Sequence, residues 1–178
     1  MKPIVLIGCA PCWKDDLDNL KAIIDDFDVM AVGMDCPYNG HIQYFVTYHQ
    51  EDIPIYKMRK RNANYDSNFL VISHKQNIEV DIIELHKNPT GSSALLGVVA
   101  VIRLGYKKII LCGCPMEGPN KNKFAKSYNH FQRGWMSRFA EIKDFTRSMS
   151  GYTREILGKP IKEWINDIQT SGEKCKDI

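Results

Sequence analysis

At 178 residues, 44% of them hydrophobic and 25% charged, the chain is long enough for one domain around a single sizeable core. A net charge of +3 is too mild to argue for nucleic acid as the obligatory partner. No apolar run approaches the ~18 residues of a transmembrane helix, and Met1-Lys-Pro-Ile4 leads into a core strand rather than a signal peptide, so a cytoplasmic protein with no membrane span is expected.

Pro3-Ile-Val-Leu-Ile-Gly8 is an apolar run closed by glycine, and Cys9-Ala-Pro-Cys12 is a tight connection. From Trp13 to Asp25 the spacing is helical, with Leu17, Leu20, Ile23 and Ile24 on one side and acids in the first turn, where the helix dipole favours them. Phe27-Asp-Val-Met-Ala-Val-Gly33 is a second apolar strand, which completes a βαβ unit. No G-x-G-x-x-G follows the first strand, so the dinucleotide fingerprint is missing.

The basic run Lys57, Arg59, Lys60, Arg61 is read as a solvated loop, with contact to phosphate or nucleic acid as the sharper alternative. Arg59 to Asn68 is polar enough for a mobile loop, and Phe69-Leu-Val-Ile72 and Ile78 to Ile83 are further strands.

The most informative stretch runs from Asn88 to Gly113. Pro89, Thr90, Gly91 and Ser92 supply a turn and an N-cap. Ala94 to Arg103 is apolar on most of its circumference, as a helix pressed on a sheet must be, and Gly105 stops it. Ile109-Ile-Leu-Cys112 is the continuous apolar run of a strand covered on both faces. The helix start, fringed with glycine and serine, offers backbone N–H groups to an anion, most often a phosphate. Beyond Gly113, Glu117 to Lys123 is a turn-rich loop of the kind that closes over ligands, Tyr128 to Phe145 is a helix, and Tyr152–Leu157 and Ile161–Ile168 are helices separated by Gly158-Lys-Pro160. One α/β domain is expected over 1–168, an open and mostly parallel Rossmann-like sheet with flanking helices and a C-terminal helical part from about 128, followed by a polar tail over 169–178.

Together these segments resemble the bacterial lipooligosaccharide sialyltransferases and the related motility accessory factors and archaeal-type 6-hydroxymethylpterin diphosphokinases. Those proteins open with a strand and G-N-G-P-S. Later they carry a T-S-G-type turn, an apolar helix, L-G-Y-K and a strand ending in G-x-D. The counterparts here are Gly8-Cys-Ala-Pro-Cys12, Gly91-Ser-Ser-Ala94 with Leu104-Gly-Tyr-Lys107, and Gly113-Cys-Pro-Met116. The likeness spans roughly residues 3 to 130. Arg147 to Glu155 is similar to the ending of small phage-encoded proteins. Departures are specific: Cys9 stands for the family asparagine, Cys12 for its serine, Gly33 for the asparagine that ends the second strand, and Pro115 for the aspartate of G-x-D.

The resemblance implies a transferase of the glycosyltransferase type using a nucleotide-sugar donor, CMP- or UDP-linked, with no strict need for metal. The nucleotide would lie between the turn of Gly8, Cys9, Ala10, Pro11 and Cys12 and the helix start at Gly91, Ser92 and Ser93, with Gly33, Gly113, Tyr128 and Arg133 around it. His130, or else His49, would be the general base, a role that suits imidazole because its pKa lies near neutrality. The acceptor would be a glycan, a small molecule or a modified DNA base, and a homo-oligomer is compatible with the chain. Three other readings stay open: a diphosphokinase needing Mg²⁺ to shield the phosphates, with Asp35 and Glu117 as its obvious acids; a non-catalytic nucleotide-binding module; and a thiol-redox protein. The last rests on Cys9-Ala-Pro-Cys12 between strand and helix, and a metal site is the companion alternative because Cys36, Cys112 and Cys114 also fall near strand ends. Packing cysteines are the simplest expectation.

Overall fold

A computed structural model describes residues 1–65, 67–84, 92–117 and 125–167. Seven strands form one fully parallel sheet in the order β5-β4-β3-β2-β1-β6-β7. They are β1 (Ile4–Ile7), β2 (Asp28–Val32), β3 (Tyr44–Val46), β4 (Leu70–Ser73), β5 (Ile82–Ile83), β6 (Ile109–Cys112) and β7 (Thr146–Ser148). Among the described residues seven helices accompany them: α1 (Trp13–Lys21), α2 (Asp52–Asn62), α3 (Ser93–Arg103), α4 (Ala125–Ser137), α5 (Phe139–Ile142), α6 (Gly151–Leu157) and α7 (Lys162–Asn166). The architecture is the expected Rossmann-like α/β fold. Gly91, the loop residues 118–124 and everything from 168 onward lie outside the described residues.

Alternation along each strand sorts the core into two layers, because successive side chains leave opposite faces of a sheet. Ile4, Leu6, Met30, Ile109 and Leu111 face α3, with Trp135 of α4 and Ile142 of α5 in the same cluster. Val5, Ile7, Val29, Ala31 and Ile110 face the other way, onto Leu17 and Leu20 of α1 and Ile53 and Tyr56 of α2. Both faces of β1, β2 and β6 are therefore covered, which is why these strands read as unbroken apolar runs.

Three elements differ from the sequence expectation. Arg59 to Asn62 is the last turn of α2, and its basic run is mostly spoken for. Arg59 donates to the carbonyls of Met34 and Cys36, Lys60 to those of Tyr38 and Gly40, and Lys57 pairs with Glu79. Arg59 and Lys60 thereby hold the loop after β2, and Lys57 ties α2 to the segment after β4. The stretch from 128 to 145 divides into α4 and α5, and the C-terminal part contains a strand, β7. Only Ile82 and Ile83 of the strand expected from Ile78 pair with the sheet.

Chain order places a switch point between β1 and β6. From β1 the chain moves outward through β2, β3, β4 and β5, and α3 then carries it back to β6 on the other side of β1. Loops leaving neighbouring strands in opposite directions open a crevice at their carboxyl ends, where ligands of such sheets bind. The return works because Gly97 lets α3 lie close to the sheet: a Cβ there would come within 2.8 Å of Met30 Sδ and 3.1 Å of Val46 Cγ1. Gly97→Val should therefore cost about 1–3 kcal/mol through overpacking, seen as a lower denaturation midpoint at unchanged m-value. A variant as stable as the parent would show that α3 has room to spare.

Candidate functional site

The site begins with the contact between two strand ends. Gly8 donates to the Cys112 carbonyl at 2.8 Å, and Ala10 to the Gly113 carbonyl at 3.2 Å. A Cβ on Gly8 would overlap the Gly113 carbonyl oxygen and lie 2.7 Å from Cys114 Sγ. Gly113 has a φ of +64°, in the left-handed region where a side chain is strained, and a Cβ there would also lie 2.6 Å from Trp13 Cβ. Both turns therefore require glycine.

A buried carboxylate fixes this contact. Asp16, only 6% exposed, accepts the Gly113 N–H at 2.8 Å and the Ser150 hydroxyl at 2.7 Å through the same oxygen. Cys12 Sγ lies 3.4 Å from that hydroxyl. Thr153 in turn donates to the Cys114 carbonyl at 2.8 Å, so the segment after β7 is stitched under the loop after β6. Nothing local in the sequence announces this network, because its members stand up to 138 positions apart.

Above the two glycines lies a cavity of about 370 Å³, lined by Gly8, Cys9, Ala10 and Pro11 after β1, Val32 and Gly33 at the end of β2, Ser92, Ser93 and Ala94 at the start of α3, Gly113 to Glu117 after β6, and Tyr128 and Phe131 of α4. Its size suits a small-molecule ligand. The walls are largely apolar, and Glu117 is the one charged side chain of the described lining. Ser92 caps α3 by accepting the Leu95 N–H at 3.3 Å, and Ser93 Oγ accepts the Tyr48 N–H at 3.1 Å, which anchors the helix start to the end of β3. The N–H groups of Ser93 and Ala94, in the first turn, have no acceptor within the helix and border the cavity.

Of the residues expected at a site, Gly8, Cys9, Ala10, Pro11, Gly33, Ser92, Ser93, Gly113 and Tyr128 line this one cavity. Cys12 lies behind it, against Ser150. His130 is exposed outside the lining, although Tyr128 and Phe131 belong to it. At 100° per residue, position 130 falls on the flank of α4, away from the face shared by 128 and 131. His49 is exposed beyond β3, with Nδ1 3.3 Å from Glu51. Arg133 lines a second groove with Asn129, Gln132, Met136 and Tyr152. Pro115 and Met116 enter the sequence reading only through the ending of Gly113-Cys-Pro-Met116, and Glu117 only as an acid opening a ligand-closing loop, while Val32, Ala94 and Phe131 of the lining carry no signal of a site beyond their place in apolar elements.

Five cysteines gather around the same strand ends, all as free thiols. Burial pushes the Cys9 thiol up, with Asp35 adding to it, and burial likewise raises Cys12, Cys36, Cys112 and Cys114. Redox catalysis needs the opposite direction. Among the described residues no group of His, Cys, Asp and Glu is placed to hold a metal ion.

No family model matches the chain, and neither curated proteins nor solved structures show a significant likeness to it.

The raised thiols set a measurable expectation. At neutral pH iodoacetamide should label Cys9 more slowly than a peptide cysteine and reach Cys36, Cys112 and Cys114 only after unfolding, followed by mass spectrometry over time. Faster-than-peptide labelling of Cys9, or a Cys9–Cys12 disulfide that reductant reverses, would return the site to redox chemistry.

Proposed function

We propose that the chain is a glycosyltransferase-type enzyme that holds the nucleotide of a CMP- or UDP-sugar in the switch-point cavity and transfers the sugar to an acceptor hydroxyl. The observation that carries this reading is the meeting of both strand–turn–helix loops and the start of α3 at one cavity between β1 and β6. The apolar side, with Pro11, Val32, Pro115 and Met116, suits a base and a ribose face. The first-turn N–H groups of α3 and the Ser93 hydroxyl suit a phosphate, and the helix dipole favours its charge.

In the transfer the bond from the sugar to the phosphate oxygen breaks, and its electron pair leaves with the nucleotide. A bond forms from the acceptor oxygen to the sugar carbon, and the acceptor proton needs a base. Glu117 is favoured for that role because it is the carboxylate on the lining, whereas His130 and His49 stand outside it. Gly151 gives it room: a Cβ there would lie 2.8 Å from Glu117 Oε1. Donors preset around the leaving phosphate would supply much of the rate through electrostatic stabilisation.

A thermal-shift series with CMP, UDP and ATP, each with and without Mg²⁺, tests the donor. At about a hundredfold excess over Kd a ligand adds roughly 2.7 kcal/mol to the native state, a shift of several degrees at this size. CMP or UDP should produce it without metal. An ATP shift that requires Mg²⁺ would argue for phosphoryl transfer, and silence from every nucleotide would sink the reading. With the donor in hand, Glu117→Gln should lower turnover about 10²–10⁴-fold with donor affinity kept, while His130→Ala stays close to the parent. The reverse pattern would make His130 the base.

A further inference from the structure

A second concavity, of about 480 Å³, opens between α4 and the start of α6, lined by Asn129, Gln132, Arg133, Met136 and Tyr152. Positions 129, 132, 133 and 136 form one stripe along α4, while Tyr128 and Phe131 turn into the first cavity, so the helix is shared by both. The partition between them is thin. Gln132 Nε2 donates to the Met116 carbonyl at 3.0 Å, and Met116 itself lines the first cavity. On the other side Glu117 lies over Gly151, the immediate neighbour of Tyr152 in the groove.

The described lining of this groove carries one charge, that of Arg133, flanked by the neutral polar groups of Asn129, Gln132 and Tyr152. Arg133 Nε donates to the Asn129 carbonyl at 3.3 Å, which orients the exposed guanidinium from its own helix. A guanidinium meets a carboxylate or phosphate in fork geometry, which makes it a selector for an anionic group. Transfer between two substrates requires sites that abut, so that reacting atoms come within about 3–3.5 Å. We infer that the α4–α6 groove is the acceptor site, and that it takes a small hydroxyl-bearing molecule with an anionic group, which Arg133 recognises. This inference rests on the donor reading for the word acceptor, but the groove's selectivity is measurable without a donor.

The test follows the Arg133 Nε–Hε signal by NMR while the full chain is titrated with methyl glucuronide, glucose 6-phosphate and neutral methyl glucoside, with CMP as the probe of the first cavity. Both anionic sugars should move the signal and bind at least about tenfold more tightly than methyl glucoside, equivalent to ~1.4 kcal/mol. The tighter of the two identifies carboxylate or phosphate as the preferred anion. Arg133→Ala should erase the discrimination and leave CMP binding as it was. Equal binding of methyl glucoside, discrimination that survives Arg133→Ala, or loss of CMP binding in that variant would each overturn the assignment, the last by moving Arg133 to the donor. A single-stranded oligonucleotide binding more tightly than either sugar would overturn the small-molecule class. If CMP binds nowhere while the anionic sugars still select Arg133, the donor reading fails and the groove's anion selectivity stands.

Discussion

The Asp16 carboxylate is the constraint on which the site depends. A buried carboxylate without partners is costly enough that the fold must supply hydrogen bonds to it. Here two come to one oxygen, from the backbone of Gly113 and the hydroxyl of Ser150. They join α1, the end of β6 and the segment after β7 at a single point, so three stretches of chain far apart in sequence share one geometry. Removing the carboxylate would leave the Gly113 N–H unsatisfied in a buried position, a loss of about 1–3 kcal/mol placed directly under the cavity.

Consequences spread upward from that point. With Gly113 held in its left-handed turn, Gly8 can press against it, and the loops after β1 and β6 diverge from a common floor. The start of α3 arrives from the opposite side of the switch, tied down by the bond from the Tyr48 N–H to Ser93. The cavity combines apolar walls with first-turn N–H groups and brings in no described cation. That combination suits a nucleotide held by shape and a modest phosphate charge, and it suits a polyphosphate less well. Its walls are mostly the loops after β1 and β6, joined by the start of α3 and one face of α4, and the glycine contacts and the Asp16 bonds are what hold those loops in place.

Legibility in the sequence followed burial. The central strands β1, β2 and β6 and the buried helix α3 were readable because both faces of each are covered, which leaves continuous apolar runs and a clear serine cap. The edge strand β7 and the helix α2 were not. β7 is Thr-Arg-Ser and earns its place by pairing with β6, with Ser148 and Thr153 bonded to each other at 2.8 Å. The helix α2 buries only Ile53, Tyr56 and Lys60 along one narrow line, and its cations, which bond loop carbonyls, made the stretch look like a loop. In the site, glycine and serine positions were legible because turn chemistry fixes them to strand ends. The direction of side chains on α4 was not: His130, beside Tyr128 in sequence, points elsewhere because helical rotation separates neighbours.

The central claim, that the switch-point cavity binds a nucleotide, is tested most directly by titrating ¹⁵N-labelled protein with CMP and following backbone amides. The account predicts that Gly8, Gly33, Ser93 and Gly113 shift together with one affinity, since all four border the same cavity, while amides along β4 and β5 stay still. Shifts centred on the β4–β5 edge, or none at saturating CMP and UDP, would contradict it.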